Sequence, residues 1–222
     1  MIRAVIFDMF ETLITHYQSP LYFGVHMAKN AGIPEEKFLA LWKPPDTSRT
    51  IGEMTLEEVL ERIFRENQCY SEKLLKEITE KRVAAKRECF RHLHSEILPM
   101  LSGIKEKGVS IGLISNCFSE EVGVIRQSEL FPYFDAVYLS YEQGIMKPNR
   151  EIFKRCMDEL SVTPEECLYV GDGGSFELEA ASELGMTAVQ AVWYLNERAA
   201  GLRKQEFSAA ECPLDILKYL EK

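Results

Sequence analysis

Short apolar runs alternate with amphipathic segments along much of the chain. The runs at 2–7, 109–114, 136–139, 167–170 and 187–192 are rich in β-branched residues and predict buried parallel strands. Helix-like segments lie between the later runs, and Gly or Pro residues mark several of their ends, at 95–107, 119–129, 149–160 and 175–184. This alternation from about residue 97 onward predicts an α/β fold, a doubly wound parallel sheet with right-handed crossovers.

The segment between the first run and residue 97 has a different pattern. No strand is predicted from about 19 to 92, whereas Thr55 to Glu58 has the pattern of a capping box before an apolar helical face, and Ser71 begins a long charged helix. The stretch 43–50 is its most loop-like part. The predicted domains are an α/β core, 1–15 with 95–222, and an inserted all-helical domain, 16–94.

Composition narrows the classes of function. The 222 residues include 26 Lys and Arg against 35 Asp and Glu, a formal net charge of −9. An acidic surface repels polyanions, so neither nucleic acid nor an anionic membrane is an expected partner. No stretch approaches the ~18 apolar residues of a membrane span. The six cysteines are irregularly spaced, without a C-x-x-C pair, which favours reduced thiols in a cytoplasmic protein.

Polar residues follow four of the predicted strands. Asp8 follows the first run, Ser115-Asn116 the second and Asp172 the fourth, and Lys147 comes past a loop after the third. Because ligands of an open α/β sheet gather at the carboxyl ends of its strands, these side chains are expected to converge. Taken singly, each is more typical of a turn, a helix cap or a solvated charge.

As a set, these residues favour one kind of chemistry. Two carboxylates with neighbouring loop carbonyls suit a hard cation such as Mg²⁺. A hydroxyl, an ammonium and glycine-loop amides suit the non-bridging oxygens of a phosphoryl group. An aspartate beside Mg²⁺ and Lys stays ionised and can attack phosphorus, giving an acyl phosphate that water then cleaves.

The order of these residues resembles a known family. Asp8-x-x-x-Thr12, Ser115-Asn116, Lys147-Pro148 and Gly171-Asp172 look like the four motifs of the haloacid dehalogenase superfamily. The flanking stretches 139–153 and 163–172 are similar too, and the likeness covers about 2–192. The helical insert resembles that family's first type of cap domain, placed after motif one. The resemblance implies a Rossmann-like core and a hydrolase whose cap lies over the site.

The resemblance also implies a role for each matching residue. Asp8 would be the nucleophile and a Mg²⁺ ligand, with Asp172 and the main-chain carbonyl of Phe10 completing the metal site. The residues that would bind or neutralise the phosphoryl group, or order the loop beside it, are Thr12, Ser115, Asn116 and Lys147. Glu177 stands where the family usually has a second acidic residue; because its side chain is one methylene longer, it is expected to support the metal site without a direct bond.

Phe10 is the main departure from the family pattern. Phosphatases of this family usually carry Asp there, which protonates the leaving group, and a phenyl ring cannot do so. Three interpretations stay open: a phosphatase that takes its proton elsewhere, a dehalogenase, which needs no such proton, and a protein that binds phosphorylated ligands without turnover. Because Asp172 keeps the metal-binding form of motif four, we favour Mg²⁺-dependent hydrolysis of a small phosphomonoester by a monomer or homodimer.

Residues of the predicted cap and its hinge offer further candidates. His16 lies near the hinge and could serve as the missing acid, since histidine side chains titrate near neutrality, but a solvated linker histidine is the favoured interpretation. Lys43 and Arg49 are interpreted as solvated charges rather than contacts to a leaving group. Trp42 and Tyr22 are expected to pack within the helical domain. Under each of these interpretations, the residue does not contact the substrate.

Overall fold

The fold is built on a single parallel sheet, seen in a computed structural model that describes residues 1–195 and 203–221. Its strands in the described residues are β1 (Ala4–Phe7), β2 (Ser110–Ser115), β3 (Ala136–Leu139), β4 (Cys167–Gly171), β5 (Thr187–Ala191) and β6 (Ser208–Ala210). They pair in the order β3-β2-β1-β4-β5-β6. The predicted fold class, a doubly wound parallel sheet, is confirmed. Strand β6 was not predicted, because Ser-Ala-Ala at the sheet edge carries no apolar run.

The register of β1 sets the position of the site. Phe7 pairs with Leu113 of β2 on one side and with Val170 of β4 on the other. All four residues of β1 are fully buried, as expected for a central parallel strand covered on both faces. The carboxyl end of β1 therefore lies between those of β2 and β4, and Asp8 comes directly after it.

Helices cover the sheet and fill the long interval between β1 and β2. The described helices are α1 (Gly24–Ala31), α2 (Glu35–Trp42), α3 (Asp46–Thr50), α4 (Leu56–Glu66), α5 (Glu72–Cys89), α6 (Ile97–Glu106), α7 (Ser119–Arg126), α8 (Ser140–Gln143), α9 (Arg150–Leu160) and α10 (Glu177–Leu184). Short 3₁₀ turns lie at Phe131–Tyr133, Pro164–Glu166 and Pro213–Leu220. None of the helices within 1–195 and 203–221 has the length and apolar character to cross a bilayer.

The helices between β1 and β2 share an apolar cluster of their own. Its buried members include Met27, Phe38, Leu60, Ile63, Phe64 and Ile78. The capping box is present: the Glu58 N–H donates to Thr55 Oγ1 at 3.2 Å, and the Thr55 N–H donates to Glu58 Oε2 at 2.7 Å. The stretch predicted to be most loop-like instead contains α3. A short helix forms there because its residues pack on buried partners, described below.

Strand-end loops hold α3 against the sheet. The Ser140 hydroxyl donates to the Thr50 carbonyl at 2.8 Å and accepts from the Cys117 N–H at 2.9 Å. Gly52, with φ +80°, lies so close to Tyr141 that a Cβ there would be 2.2 Å from the Tyr141 carbonyl oxygen. Only glycine fits this contact, since it has both the required φ and no side chain. The α3 segment is thus fixed next to the end of β2.

Candidate active site

A buried ion pair lies at the end of β1. Lys147 Nζ donates to Asp8 Oδ1 at 2.5 Å and to Tyr169 Oη at 3.2 Å. Lys147 is 1% exposed and Asp8 is 7% exposed. Burial raises the pKa of Asp8, and the Lys147 ammonium opposes that rise. Sequence reasoning did not find Tyr169, which its strand pattern makes indistinguishable from any other core residue of β4.

Asn116 fixes the main chain of Lys147. The Lys147 N–H donates to Asn116 Oδ1 at 2.8 Å, and Asn116 Nδ2 donates to the Lys147 carbonyl at 3.1 Å. An amide side chain can do both because it carries one donor group and one acceptor. The loop that bears the lysine is thereby joined to the residue that follows β2.

Two buried hydroxyls, one at the end of β2 and one in the loop after β1, lack a hydrogen-bond partner among the described residues. Ser115 Oγ and Thr12 Oγ1 are fully buried and have no hydrogen-bond partner among the described residues. The main chain of Thr12 is held by Trp193, whose indole N–H donates to its carbonyl at 2.8 Å. A buried hydroxyl without a partner costs free energy, so these two groups indicate a ligand that hydrogen-bonds them.

Three carboxylates meet beside the ion pair. One oxygen each of Asp8, Asp172 and Glu177 lies within 4.8 Å of the others. Both Glu177 oxygens already accept main-chain N–H groups, from Gly173 and Ser175, at 2.7 Å. Burial, with the charges of Asp8 and Glu177, raises the pKa of Asp172 to about 7. Like charges held this close out of water favour a cation among them.

The donor set fits a divalent cation such as Mg²⁺. Hard cations take carboxylate oxygens, and Asp8 and Asp172 present theirs to a common point. Glu177 is engaged by two N–H groups, which suits a residue that orients the loop of Asp172. A metal bond from the Phe10 carbonyl stays a prediction.

His16 is not the solvated linker residue that the sequence suggested. Its ring stacks on Phe10, with centroids 4.9 Å apart. His16 Nδ1 donates to Glu11 Oε1 at 2.9 Å, and Lys86 Nζ donates to His16 Nε2 at 2.6 Å. These partners imply a neutral imidazole, and burial lowers the His16 pKa. Glu11 also accepts a hydrogen bond from Thr15 Oγ1 at 2.6 Å, which helps to hold its carboxylate beside His16.

A second set of buried charges joins the inserted helices to α7. We call it the ionic cluster; its members are Arg49, Arg82, Lys86, Glu120 and Glu121. Arg49 Nη2 and Arg82 Nε both donate to Glu120 Oε1, at 3.0 and 3.2 Å, and Lys86 Nζ lies 2.6 Å from Glu121 Oε1. Each residue is less than a tenth exposed. The sequence offered one signal, the spacing of Ile78, Arg82 and Lys86 along one face of α5.

The interpretation of Arg49 as a solvated charge is wrong. Arg49 is 1% exposed, because its guanidinium lies between two aromatic rings, 3.9 Å from the Trp42 centroid and 4.0 Å from that of Phe118. Such stacking offsets part of the cost of burial. Lys43, by contrast, is exposed as expected.

A cavity of about 340 Å³ lies between the ionic cluster and the residues that follow β1 and β2. Its lining includes Phe10, His16, Trp42, Arg49, Lys86 and Asn116. The cavity therefore runs from the residues that follow β1 and β2 to the ionic cluster. Trp42 both packs on Phe38, with ring centroids 5.9 Å apart, and borders this space. Tyr22 instead packs at the edge of the helical apolar cluster.

Comparison with known proteins assigns the family. The model of the haloacid dehalogenase-like hydrolases matches residues 2–185. The phosphoglycolate phosphatase of Aquifex aeolicus is 27% identical over 195 residues, 86% of this chain and 85% of that protein. The glyceraldehyde 3-phosphate phosphatase of Methanocaldococcus jannaschii is 30% identical over 133 residues, 55% of each chain. Three of the curated relatives are matched over only 33% to 55% of their own length.

Solved structures share the fold. A 2-haloacid dehalogenase from Pseudomonas syringae superposes with a TM-score of 0.71 at 19% identity, covering 99% of this chain and 98% of that one. A family enzyme from Bacteroides thetaiotaomicron, solved with magnesium and inorganic phosphate, gives 0.66 at 22% identity, covering 86% and 94%. At such identities the likeness concerns the fold alone. With the family match over most of its length, the chain belongs to the haloacid dehalogenase-like hydrolases.

Proposed function

We propose that the protein hydrolyses small phosphomonoesters in a Mg²⁺-dependent reaction, with Asp8 as the nucleophile. The observation that carries this proposal is the Asp8–Lys147 pair beside the buried hydroxyls of Ser115 and Thr12, which lack partners within the described chain. An acceptor-rich phosphoryl group would meet an ammonium, two hydroxyl donors and a carboxylate nucleophile in one place. The phosphatases named among the relatives support the same class of substrate.

The proposed reaction has two steps. An Asp8 carboxylate oxygen attacks phosphorus while the ester P–O bond breaks, and the departing alkoxide takes a proton from water. Water then attacks the aspartyl-phosphate, releasing inorganic phosphate and regenerating the carboxylate. Lys147 neutralises charge on Asp8 and on the phosphoryl oxygens, Ser115 donates to those oxygens, and Asn116 keeps the lysine loop in place. Thr12 orders the loop after β1.

The metal site would be formed by Asp8, Asp172 and the Phe10 carbonyl, with Glu177 supporting the loop of Asp172. Bound Mg²⁺ supplies positive charge that offsets the repulsion between carboxylate and phosphate. The raised pKa of Asp172 supports this assignment, because a cation is what would keep that carboxylate ionised.

The inserted helices are proposed to act as a cap. A domain over 16–94 that closes on the core at 1–15 and 95–222 excludes water during phosphoryl transfer. The cavity of about 340 Å³ suits a small metabolite rather than a polymer. We accordingly propose a cytoplasmic enzyme, a monomer or homodimer, whose partner is a small phosphoester, with no role for nucleic acid or membrane.

Phe10 favours a second candidate, 2-haloacid dehalogenation. Displacement of halide from carbon needs no proton for the leaving group, so an aromatic ring is tolerated there. Against it, Asp172 presents its carboxylate to Asp8, an arrangement that a metal-free dehalogenase would leave uncompensated. A purely binding role would release neither phosphate from phosphoesters nor chloride from 2-chloroacids.

Phosphate release from p-nitrophenyl phosphate and a panel of alkyl phosphates, with Mg²⁺ and with EDTA, tests the proposal. We expect metal-dependent turnover that is abolished in Asp8→Asn and unchanged in Asp158→Asn, a matched change at an exposed position. Because position 10 lacks an acid, good leaving groups should react faster than alkyl esters. If no ester releases phosphate, the proposal is wrong, and chloride release from 2-chloroacids then identifies a dehalogenase.

A further inference from the structure

Arg49 has two hydrogen-bond donors that the fold leaves unused. Its Nη2 donates to Glu120 Oε1 at 3.0 Å, whereas its Nε and Nη1 are buried and have no acceptor in the described part of the chain. Asp46 Oδ1 is 3.6 Å from Nη1, too far for a hydrogen bond, and its side chain is 63% exposed. We refer to these two groups as the open donors of Arg49.

The open donors cannot turn to solvent. The guanidinium is held between the rings of Trp42 and Phe118, and its third nitrogen is held by Glu120. A buried charged donor without an acceptor is costly, because nothing replaces the hydrogen bonds that it made to water. Holding such a group rigidly in a cavity wall is unfavourable unless a ligand accepts from it.

The charges around the cavity favour an anionic ligand. Among the described residues that are at least nine-tenths buried, the ionic cluster has three cations and two carboxylates. Glu120 serves both Arg49 and Arg82, and Glu121 serves Lys86. The exposed Asp46 also borders the cavity, but it is largely hydrated and so screens Arg49 only weakly.

The same cavity is bordered by neighbours of the proposed phosphoryl-site residues. Asn116, which follows Ser115, and Phe10, which is two residues from Asp8, line the cavity together with Arg49. A phosphoester held by Ser115 and Lys147 would therefore direct its leaving group into this space. Arg49, with its open donors, lines this same space.

We propose that Arg49 recognises a second oxyanion, a carboxylate or another phosphate, on the leaving group of the substrate. The inference rests on the proposed phosphatase function and narrows it to small phosphomonoesters that carry a second negative charge. Arg49 is then a specificity-determining residue. An oxyanion supplies acceptors to both open donors and offsets the excess of buried positive charge.

Matched esters test this inference. The wild-type protein is compared on 2-phosphoglycolate, 2-hydroxyethyl phosphate and ethanediol bisphosphate, which differ mainly in the group at the far end of the leaving group. We expect kcat/KM to be at least about 10-fold higher for one or both of the esters whose leaving group carries an oxyanion than for the hydroxyethyl ester. Which of the two is preferred identifies the oxyanion as a carboxylate or a phosphate.

Variants of Arg49 test whether this residue causes the preference for esters with a second oxyanion. In Arg49→Met the preference should fall to near unity, mainly through KM for the esters whose leaving group carries an oxyanion. Arg49→Lys keeps the charge with a different donor geometry and should retain part of the preference. Arg62→Met, the same change at an exposed position of α4, should retain all of it.

Binding separates the failure of this inference from that of the proposed function. Calorimetric titration of 2-phosphoglycolate, ethanediol bisphosphate and 2-hydroxyethyl phosphate into Asp8→Asn protein requires no turnover. Tighter binding of an ester that carries the second oxyanion, lost on adding Arg49→Met and partly kept on adding Arg49→Lys, supports the inference even if no ester is hydrolysed. Equal binding of all three esters, or an equal loss on all of them in both Arg49 variants, overturns it.

Discussion

The structure contains two buried groups of charges, and their net charges have opposite signs. At the strand ends, three carboxylates share one ammonium, the residues being Asp8, Asp172, Glu177 and Lys147. In the ionic cluster, three cations share two carboxylates. Because an unbalanced buried charge is costly, the sign of each imbalance indicates the sign of its ligand. The first region fits a cation, and the second fits an anion.

Lys147→Met should have the largest effect, since it removes the single ammonium among three carboxylates. Losing one partner of a buried pair typically costs about 3–5 kcal/mol, so the free energy of unfolding should fall by that amount in EDTA at pH 7.5. Urea denaturation measures it, and Lys154→Met, at an exposed position, is the control. Phosphatase turnover should fall at least about 100-fold. A loss of stability below about 1 kcal/mol would show that the pair is not buried as described.

Glu120→Gln tests the opposite imbalance. The amide still accepts hydrogen bonds, but Arg49 and Arg82 lose the carboxylate that they share. We expect the free energy of unfolding to fall by about 2 kcal/mol in the same denaturation experiment. Glu57→Gln, on the exposed side of α4, should change it by less than about 0.5 kcal/mol. Equal effects of the two changes would contradict the buried position of Glu120.

Asp172→Asn should stabilise the metal-free protein, and only at high pH. The folded-state pKa of Asp172 is raised from 3.8 to about 7, so its contribution to stability is fully present below pH 3.8 and is lost as pH rises through 7. The amide does not titrate, so in EDTA the variant should unfold about 3–6 °C above wild type at pH 8.

The difference in melting temperature between Asp172→Asn and wild type should depend on both the pH and the presence of Mg²⁺. Near pH 4 the two proteins should unfold at similar temperatures, since the wild-type carboxyl is then protonated. Saturating Mg²⁺ at pH 8 should raise the melting temperature of wild type more than that of the variant. A variant that is destabilised in EDTA at pH 8 would argue that the Asp172 carboxylate is compensated within the fold.

Ser115→Ala should have the smallest effect on stability. Its hydroxyl has no partner among the residues described, so its removal should not lower the free energy of unfolding and can raise it by up to about 1 kcal/mol. Ser140→Ala removes a buried hydroxyl that bonds Thr50 and Cys117 and should cost about 1–3 kcal/mol. For Ser115→Ala we expect KM for p-nitrophenyl phosphate to rise about 10-fold. An unchanged KM would remove Ser115 from the phosphoryl site.

Much of the strand-end region could be predicted because one-dimensional patterns specify it. Apolar runs mark parallel strands, and such strands place their following residues at one edge of the sheet. These two rules are enough to predict that Asp8, Asn116 and Asp172 lie at the same edge of the sheet. Strand β6 escaped prediction because three small residues at an edge need little hydrophobicity.

The ionic cluster could not be predicted in the same way. Arg82 and Lys86 occupy the buried stripe of α5, where a charge is ordinarily a sign of exposure. The burial of Arg49 depends on Phe118, which follows β2 in a distant part of the chain. His16 likewise is buried by Lys86 and Phe10, contacts that only the folded chain brings together. No local pattern encodes such pairings.

The paired hydrogen bonds between Asn116 and Lys147 have a consequence for conformational entropy. A free lysine side chain loses up to about 2 kcal/mol of rotamer freedom when it is immobilised. Here the main chain is fixed by the amide and Nζ is fixed by Asp8 and Tyr169, so folding has already removed that freedom. When a phosphoryl ligand binds, no further conformational entropy is lost in ordering the Lys147 side chain, so this cost does not weaken the affinity for the ligand.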